Sequence, residues 1–322
     1  MGIIARQSFF NSISIALAFL IGAVNTVFFY PKFMGSEYQG LIVTLLALSN
    51  LIQPFISFGV QNALIKFYST CKTKEEQDRL LSFSITLPLT MFILFLTISL
   101  IFKAEIISFI ASKNNAIGKY SFLIIAVAFS TAMFEIFYNW LRIQLYSVFG
   151  NFLKEFYPRA LIFFLLLIYA FDGLSLDSFI SALIVGYYLR LILVIFYALI
   201  KYKPKFSFAL PKEFKSIFSY SFLIFMSGTA ASLILDIDKT MISNILKVEN
   251  VAYYSVAVFI ASVIEFPGRA MFQIISPLVA KALNENDDQR LSSLLKKSSN
   301  NLLLTSGFLF LLINLNLTDF YE

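Results

Sequence analysis

Charged side chains inside long apolar runs are where this sequence is equipped for chemistry. The run Tyr220–Leu235 is uncharged for 16 residues and then meets Asp236, Asp238 and Lys239. The next run, Val251–Ala280, carries Glu265, Pro267 and Arg269 near its middle. A charge at bilayer depth costs at least ~2.5–3.5 kcal/mol, so each of these must face a protein interior or an aqueous path. Glu265 and Arg269 stand four residues apart on one helix face, where they can neutralise each other. Pro267 between them removes a backbone hydrogen bond and invites a bend. Two readings stand open: a pair that holds helices together, or a carboxylate that takes up a proton or Na⁺ while Arg269 meets an anionic substrate. Asp236 and Lys239 are i,i+3 neighbours and can pair. Asp238 points to a different face and has no partner nearby in sequence. That makes it the first choice for a proton or coupling-ion site, against a plain solvated carboxylate in a wet outer cavity.

Further polar residues punctuate the other runs: Asn25, Gln53, Gln61, Asn62, Glu135, Asn139, Arg142, Arg159 and Arg190. Interhelical hydrogen bonding explains the amides nearly as well as a polar lumen does. Arg190 sits mid-run in GYYLRLILVIF and needs a partner or water. Arg142 and Arg159 lie near run ends, where snorkelling anchors are common. As a set, Arg142, Arg159, Arg190 and Arg269 could offer guanidinium groups to a phosphate, which they bind in bidentate fashion.

Other chemistries find little to work with. There is no His, and the one cysteine, Cys71, lies in a polar loop. Cys/His zinc sites, His-based triads and disulfides are thereby excluded, although carboxylate-only ion sites survive. No P-loop, GxSxG or HExxH pattern occurs, and no cofactor is implied. The net charge of +6 comes from short loops between apolar runs, which argues for membrane orientation rather than a nucleic-acid face.

The elements that must position these residues follow from composition. With 59% hydrophobic and 14% charged residues in 322, the chain reads as an all-α polytopic membrane protein. Stretches long enough for a ~30 Å hydrocarbon core predict nine spans: Phe9–Tyr30, Leu41–Ile65, Leu80–Phe102, Tyr120–Leu141, Arg159–Phe171, Phe179–Ile200, Ile217–Leu246, Val251–Ala280 and Asn300–Leu317. The fifth is short, because Arg159 and Asp172 bracket it, and snorkelling flanks must extend it. The uncharged run after Arg6 is too long for a signal-peptide core and reads as the first span. Placing the N-terminus in the cytoplasm puts 17 Lys and Arg in the inner loops against 6 outside, which sets the orientation.

The inner segment KYKPKFSFALPKEFK, with two prolines and five lysines, reads as a solvated linker on an anionic membrane surface. It divides residues 1–200, a six-helix lobe, from residues 217–322, with 201–216 as the linker. An offset of 213 residues places Pro54 on Pro267, Ser49 on Ser262 and Asn25 on Asp238, and both halves share a long helix, a short outer turn and a proline-bearing helix. Parallel repeats of this kind are a transporter architecture with the site between the halves. A second six-helix half would need three helices more than the chain supplies, so a truncated gene product is expected.

The segment Asp236–Ala280 resembles the polysaccharide biosynthesis and export proteins known as O-antigen flippases, of the multidrug/oligosaccharidyl-lipid/polysaccharide exporter superfamily. The resemblance rests on Asp238-Lys239, on the VAYYSVA turn from Val251, and on Ser276-Pro277 with Ala280. Gly35-Ser36-Glu37-Tyr38-Gln39-Gly40 and Phe58-Gly59-Val60 add to it. It implies a two-lobed, V-shaped bundle of 12 or 14 helices around a cationic cavity in a bacterial inner membrane. It also implies alternating access that moves an undecaprenyl-diphosphate-linked oligosaccharide to the periplasmic leaflet for surface polysaccharide (lipopolysaccharide O-antigen) assembly, driven by a proton or Na⁺ gradient. Membrane lipids and other polysaccharide-assembly proteins are then the expected partners. On this reading Arg269 with Arg190, Arg142 and Arg159 would meet the substrate's phosphates. Asp238, Glu265 and Asp236 would serve the ion. The alternatives are a cation-coupled drug exporter or a lipid II flippase of the same superfamily, and, from another class, a membrane-embedded oligosaccharide polymerase or ligase.

Overall fold

Within hydrocarbon every backbone N–H and C=O must be satisfied inside the protein, and helices do this segment by segment. The computed structural model accordingly describes residues 3–207, 209–284 and 287–318 as helices with short connections. In chain order these are α1 (Ile3–Ala23), a π-helical segment (Val24–Met34), α2 (Gly35–Ser57), α3 (Val60–Tyr68), α4 (Lys74–Ile101), α5 (Lys103–Ile110) and α6 (Asn115–Lys119). They continue as α7 (Ser121–Ile143), α8 (Ser147–Ala170), α9 (Leu176–Lys201), α10 (Phe214–Ile245), α11 (Glu249–Asn284) and α12 (Asp288–Leu315). Among the described residues seven stretches are long and apolar enough to cross a membrane. The side chains of Arg6, Ser276, Pro277, Ala280 and Lys281, which the sequence reading used, lie outside the described residues.

One of the seven, Ile13–Ser57, is 45 residues long and takes in most of the first and second expected spans. Straight, it would extend about 68 Å, more than twice a hydrocarbon core. It reverses instead at Gly35, whose φ of +75° is a left-handed conformation that glycine adopts freely. Beyond the turn, Gln39 Nε2 donates to the Thr26 carbonyl at 3.1 Å, a contact that requires α2 to fold back on the π segment.

The expected second span, Leu41–Ile65, is broken. Phe58 (φ +48°) and Gly59 (φ +71°) both leave the right-handed region, and α3 starts afresh at Val60. The break turns Phe58 into an aromatic cluster, 5.3 Å from Phe225 and 5.4 Å from Phe218. It also lets Gly59 meet α10 backbone to backbone: a Cβ there would stand 2.4 Å from the Ser221 carbonyl oxygen. Neither backbone can yield, so Gly59→Ala is expected to cost about 2–4 kcal/mol from overpacking and left-handed strain. A lowered thermal midpoint of the purified protein is the check; an unchanged one would mean that the contact is slack.

Two further expectations need correction. The short fifth span is part of a 24-residue helix, α8, that begins at Ser147. The charges at the start of its apolar run do not end the helix, because Lys154 reaches Glu135 at 2.7 Å and Arg159 reaches Glu155 at 3.4 Å, whereas Asp172 does lie just past its other end. The basic linker is not freely solvated either. Tyr202 donates to Asp78 at 2.8 Å, the Ser207 amide donates to Ser82 Oγ, and Lys212 pairs with Glu76, so the linker is fastened to the start of α4. Cys71 lies beside this junction, where burial pushes its thiol pKa up and the Glu76 and Glu213 carboxylates add to the shift. A thiol held protonated in this way is a poor nucleophile.

Two large apolar cores, with a small cluster of Ile56, Ala128 and Ala132 beside them, hold the α2–α9 bundle together among the described residues. One, at the end bearing Lys66, Lys72 and Lys74, is built on Leu64, Leu80, Phe134, Trp140 and Leu141. The other, toward the opposite end, is built on Leu41, Ile42, Leu123, Leu166 and Phe179. Outside this bundle, α10 lies along α2 and α3, α11 lies against α2 and α1, and α12 lies on α11.

Candidate functional site

The π segment is the first positioning device. Widening the helix to i→i+5 bonds shifts the register of everything after it, and such segments concentrate at functional sites. Here it buries Asn25, whose amide donates to the Arg159 carbonyl of α8 at 2.8 Å. That amide is thus an interhelical tie, as the plainer sequence reading had it. One turn earlier, Gly22 leaves room for the Arg159 side chain, since a Cβ there would stand 3.2 Å from Arg159 Cδ. Arg159 is therefore laid across α1 toward α11.

Facing it from α11 is Arg269. The two arginines line one cavity of about 440 Å³ with Glu155, Phe19, Phe266 and Phe272. Each arginine is held by a carboxylate one turn back on its own helix. Arg269 Nη2 lies 2.8 Å from Glu265 Oε2, with both side chains about two-thirds exposed, and Arg159 Nη1 lies 3.4 Å from Glu155 Oε2. The expected Glu265–Arg269 pair thus forms, and its arginine lines a cavity rather than a packed interior. The walls are aromatic: Phe19 stands 5.1 Å from Phe259 and 4.8 Å from Phe266. Guanidinium groups on an apolar wall, each balanced by one carboxylate, form a site in which an anion can replace the carboxylates.

The sequence reading missed Glu155, although a signal for it exists. Glu155-Phe-Tyr-Pro-Arg159 and Glu265-Phe-Pro-Gly-Arg269 are near copies, each with a proline inside a Glu-to-Arg turn.

The four arginines do not form one set. Arg142 lines a separate polar cavity of about 340 Å³ with Gln53, Gln61, Thr131, Glu135 and Lys154, and it donates to Asn139 at 3.0 Å. Arg190 is buried at 4% exposure, sandwiched 4.4 Å from the Phe134 ring and 4.7 Å from Tyr187, and donates to Thr131 at 3.1 Å. Cation–π contacts and one hydroxyl occupy its guanidinium face. Arg190 is therefore part of the packing, and it is linked to the second cavity only through Thr131. Hydropathy sets Arg142 and Arg159, near run ends, apart from Arg190 and Arg269 within runs, but only one of each group lines the shared cavity, so it could not show which arginines meet.

In α10, Asp236 is buried and held twice, by Lys239 Nζ at 2.6 Å and by Asn50 of α2 at 3.1 Å. Asp238 is exposed, on another face as expected. It is not without a partner: the Tyr254 hydroxyl of α11 donates to its Oδ2 at 2.6 Å. Neither aspartate lines the arginine cavity. Among the described residues no group of three His, Cys, Asp or Glu side chains is placed to hold a metal.

A sequence profile described as polysaccharide biosynthesis protein matches residues 4–282. Among curated proteins none matches the chain significantly. Of solved structures, "Lipid II flippase MurJ, inward closed conformation" superposes with a TM-score of 0.70 at 18% identity, over 93% of this chain and 62% of that one. "Structure of MATE multidrug transporter DinF-BH in complex with R6G" gives a TM-score of 0.67 at 14% identity, over 94% and 71%. The chain thus spans a little under two-thirds of the MurJ chain that it matches. The fold is that of these two proteins. This multi-pass membrane protein, with Arg159 and Arg269 on a shared cavity and each paired to a glutamate, belongs to the polysaccharide biosynthesis protein family.

Proposed function

We propose that this protein moves a polyprenyl-diphosphate-linked oligosaccharide from the cytoplasmic to the periplasmic leaflet of a bacterial inner membrane, for surface polysaccharide assembly. Its N-terminus is cytoplasmic, its first six spans form one lobe (residues 1–200), and residues 217–322 contribute helices to a second lobe across the linker 201–216. The observation that carries this reading is the cavity shared by Arg159 and Arg269. A diphosphate is the one part common to all such substrates. Two planar guanidinium groups suit it, whereas a cationic drug would want carboxylates without arginines. The aromatic wall suits the first isoprene units. Alternating access follows as the two helix groups rock about α1, α2, α10 and α11. When the diphosphate takes the arginines, Glu155 and Glu265 lose their partners, so Glu265 joins Asp238 and Asp236 as a carboxylate for a proton or Na⁺.

The test is reconstitution into vesicles with a fluorescent polyprenyl-diphosphate sugar and an imposed pH or Na⁺ gradient. Gradient-driven flipping is expected. Export of a cationic dye without flipping would make the protein a drug exporter. In the same assay Asp238→Asn should abolish the response to the gradient while Tyr254→Phe retains it. If Asp238→Asn responds like the parent, Asp238 is an interhelical tie and no more.

A further inference from the structure

The buried residues of α4 all fall between Asp78 and Pro88, and none of Leu89–Ile101 is buried. Pro88 lacks the N–H that would close a helical turn, and beyond it α4 touches the bundle through few side chains, among them Phe92, whose ring stands 4.2 Å from that of Phe129. A groove of about 690 Å³ remains between the second half of α4, α5 and the first half of α7, lined by Phe92, Phe95, Leu96, Phe122 and Ile125. Its only charged lining residues are both basic, Lys103 and Lys119. Lys119 also donates to Asp177 at 2.8 Å and Tyr120 at 3.0 Å, bonds that hold its pKa above the usual lysine range. Among the described residues Lys103 has no carboxylate within ion-pair distance.

We infer that this groove holds one acyl chain of an anionic phospholipid, whose phosphate sits at Lys103 and Lys119. An apolar cavity of this kind does not retain water, and the bilayer supplies hydrocarbon beside it. Counting roughly 30 Å³ for each methylene-sized unit, about the share of one liquid water, the groove takes about twenty such units. That matches one acyl chain, whereas a long polyprenyl tail is several times too large. Lys103, which no carboxylate balances, selects an anionic headgroup, and Lys119 adds donor capacity beside it while sharing its charge with Asp177. On the orientation proposed above the site faces the outer leaflet. The lipid would then stand in for the packing that α4 loses after Pro88.

The chain in vesicles of phosphatidylethanolamine and phosphatidylglycerol, with a trace of phosphatidylglycerol bearing a terminal-chain diazirine, tests this by where the label lands. Transport is not read, so the outcome is independent of the substrate. Label is expected to concentrate on residues 92–100 and 122–126. Ser99→Trp, which fills the groove, should cut it several-fold. Lys103→Gln, a surface change that leaves packing alone, should cut it about fivefold, the scale of one basic residue near an anionic lipid surface. Even labelling of these helices and of lipid-exposed α12 would overturn the proposal. So would displacement of the label by polyprenyl phosphate but not by phosphatidylglycerol, since the groove would then belong to the substrate's tail.

Discussion

Arg159→Ala and Arg269→Ala should each weaken binding of a soluble short-chain polyprenyl diphosphate by about 10- to 100-fold. That is the range for losing hydrogen bonds to a charged group, about 1.5–3 kcal/mol. The two arginines come from helices 110 residues apart in sequence and meet at one cavity. If one diphosphate bridges them, their losses will not add, and the double variant will bind much better than the product of the single effects predicts. Two independent sites would give simple addition. Lysine at either position retains charge without the planar fork and should fall between arginine and alanine. Arg142→Ala is the contrasting variant, because its side chain lines the other cavity, and its effect should be several-fold at most. Removing an arginine also strands its glutamate, so Glu155→Gln/Arg159→Ala and Glu265→Gln/Arg269→Ala separate lost attraction from new repulsion. Titration against the uncharged polyprenyl alcohol gives the baseline. If all variants bind the diphosphate and the alcohol alike, the arginine cavity is not the headgroup site.

What the sequence could disclose depended on distance along the chain. Glu265–Arg269 and Asp236–Lys239 were legible because helical periodicity alone brings i,i+3 and i,i+4 residues together. The spans were legible because a hydrocarbon core demands a length. Less legible was the second span, where hydropathy runs straight through the left-handed pair Phe58-Gly59. In α8, charges looked like an end although Glu135 and Glu155 partner them. Tyr254 as the partner of Asp238 needed only the turn: the two lie at similar distances on either side of Leu246–Val248, and a helical hairpin brings such residues side by side. The separation of the four arginines needed tertiary structure, because which helix faces which is not periodic information.

Asn114→Ala should open the end of the molecule remote from the basic loops. Between α10 and α11 the chain leaves unsatisfied carbonyls at one helix end and an unsatisfied amide at the next, as any pair of helix termini does. Asn114, from the α5–α6 connection, serves both. Its amide donates to the carbonyls of Ser243 at 2.5 Å and Leu246 at 3.2 Å, and its Oδ1 accepts from the Val248 N–H at 3.0 Å. Ser112 adds a hydroxyl to the Asn244 carbonyl. Alanine removes three of these bonds at about 1 kcal/mol each, which amounts to about two orders of magnitude in an equilibrium between closed and open ends. Gly40 gives a steric version of the same experiment. A Cβ there would stand 2.0 Å from the Val248 carbonyl oxygen, so Gly40→Val cannot close at all. Spin labels at Lys113→Cys and Glu249→Cys, in a Cys71→Ser background, read the separation. One short distance is expected for the parent, a second longer one for Asn114→Ala, and only the longer one for Gly40→Val. Both variants should lose transport while still binding the diphosphate, the reverse of the pattern expected for the arginines. An unchanged short distance in both would mean that this end of the molecule is fixed and that any access change occurs elsewhere.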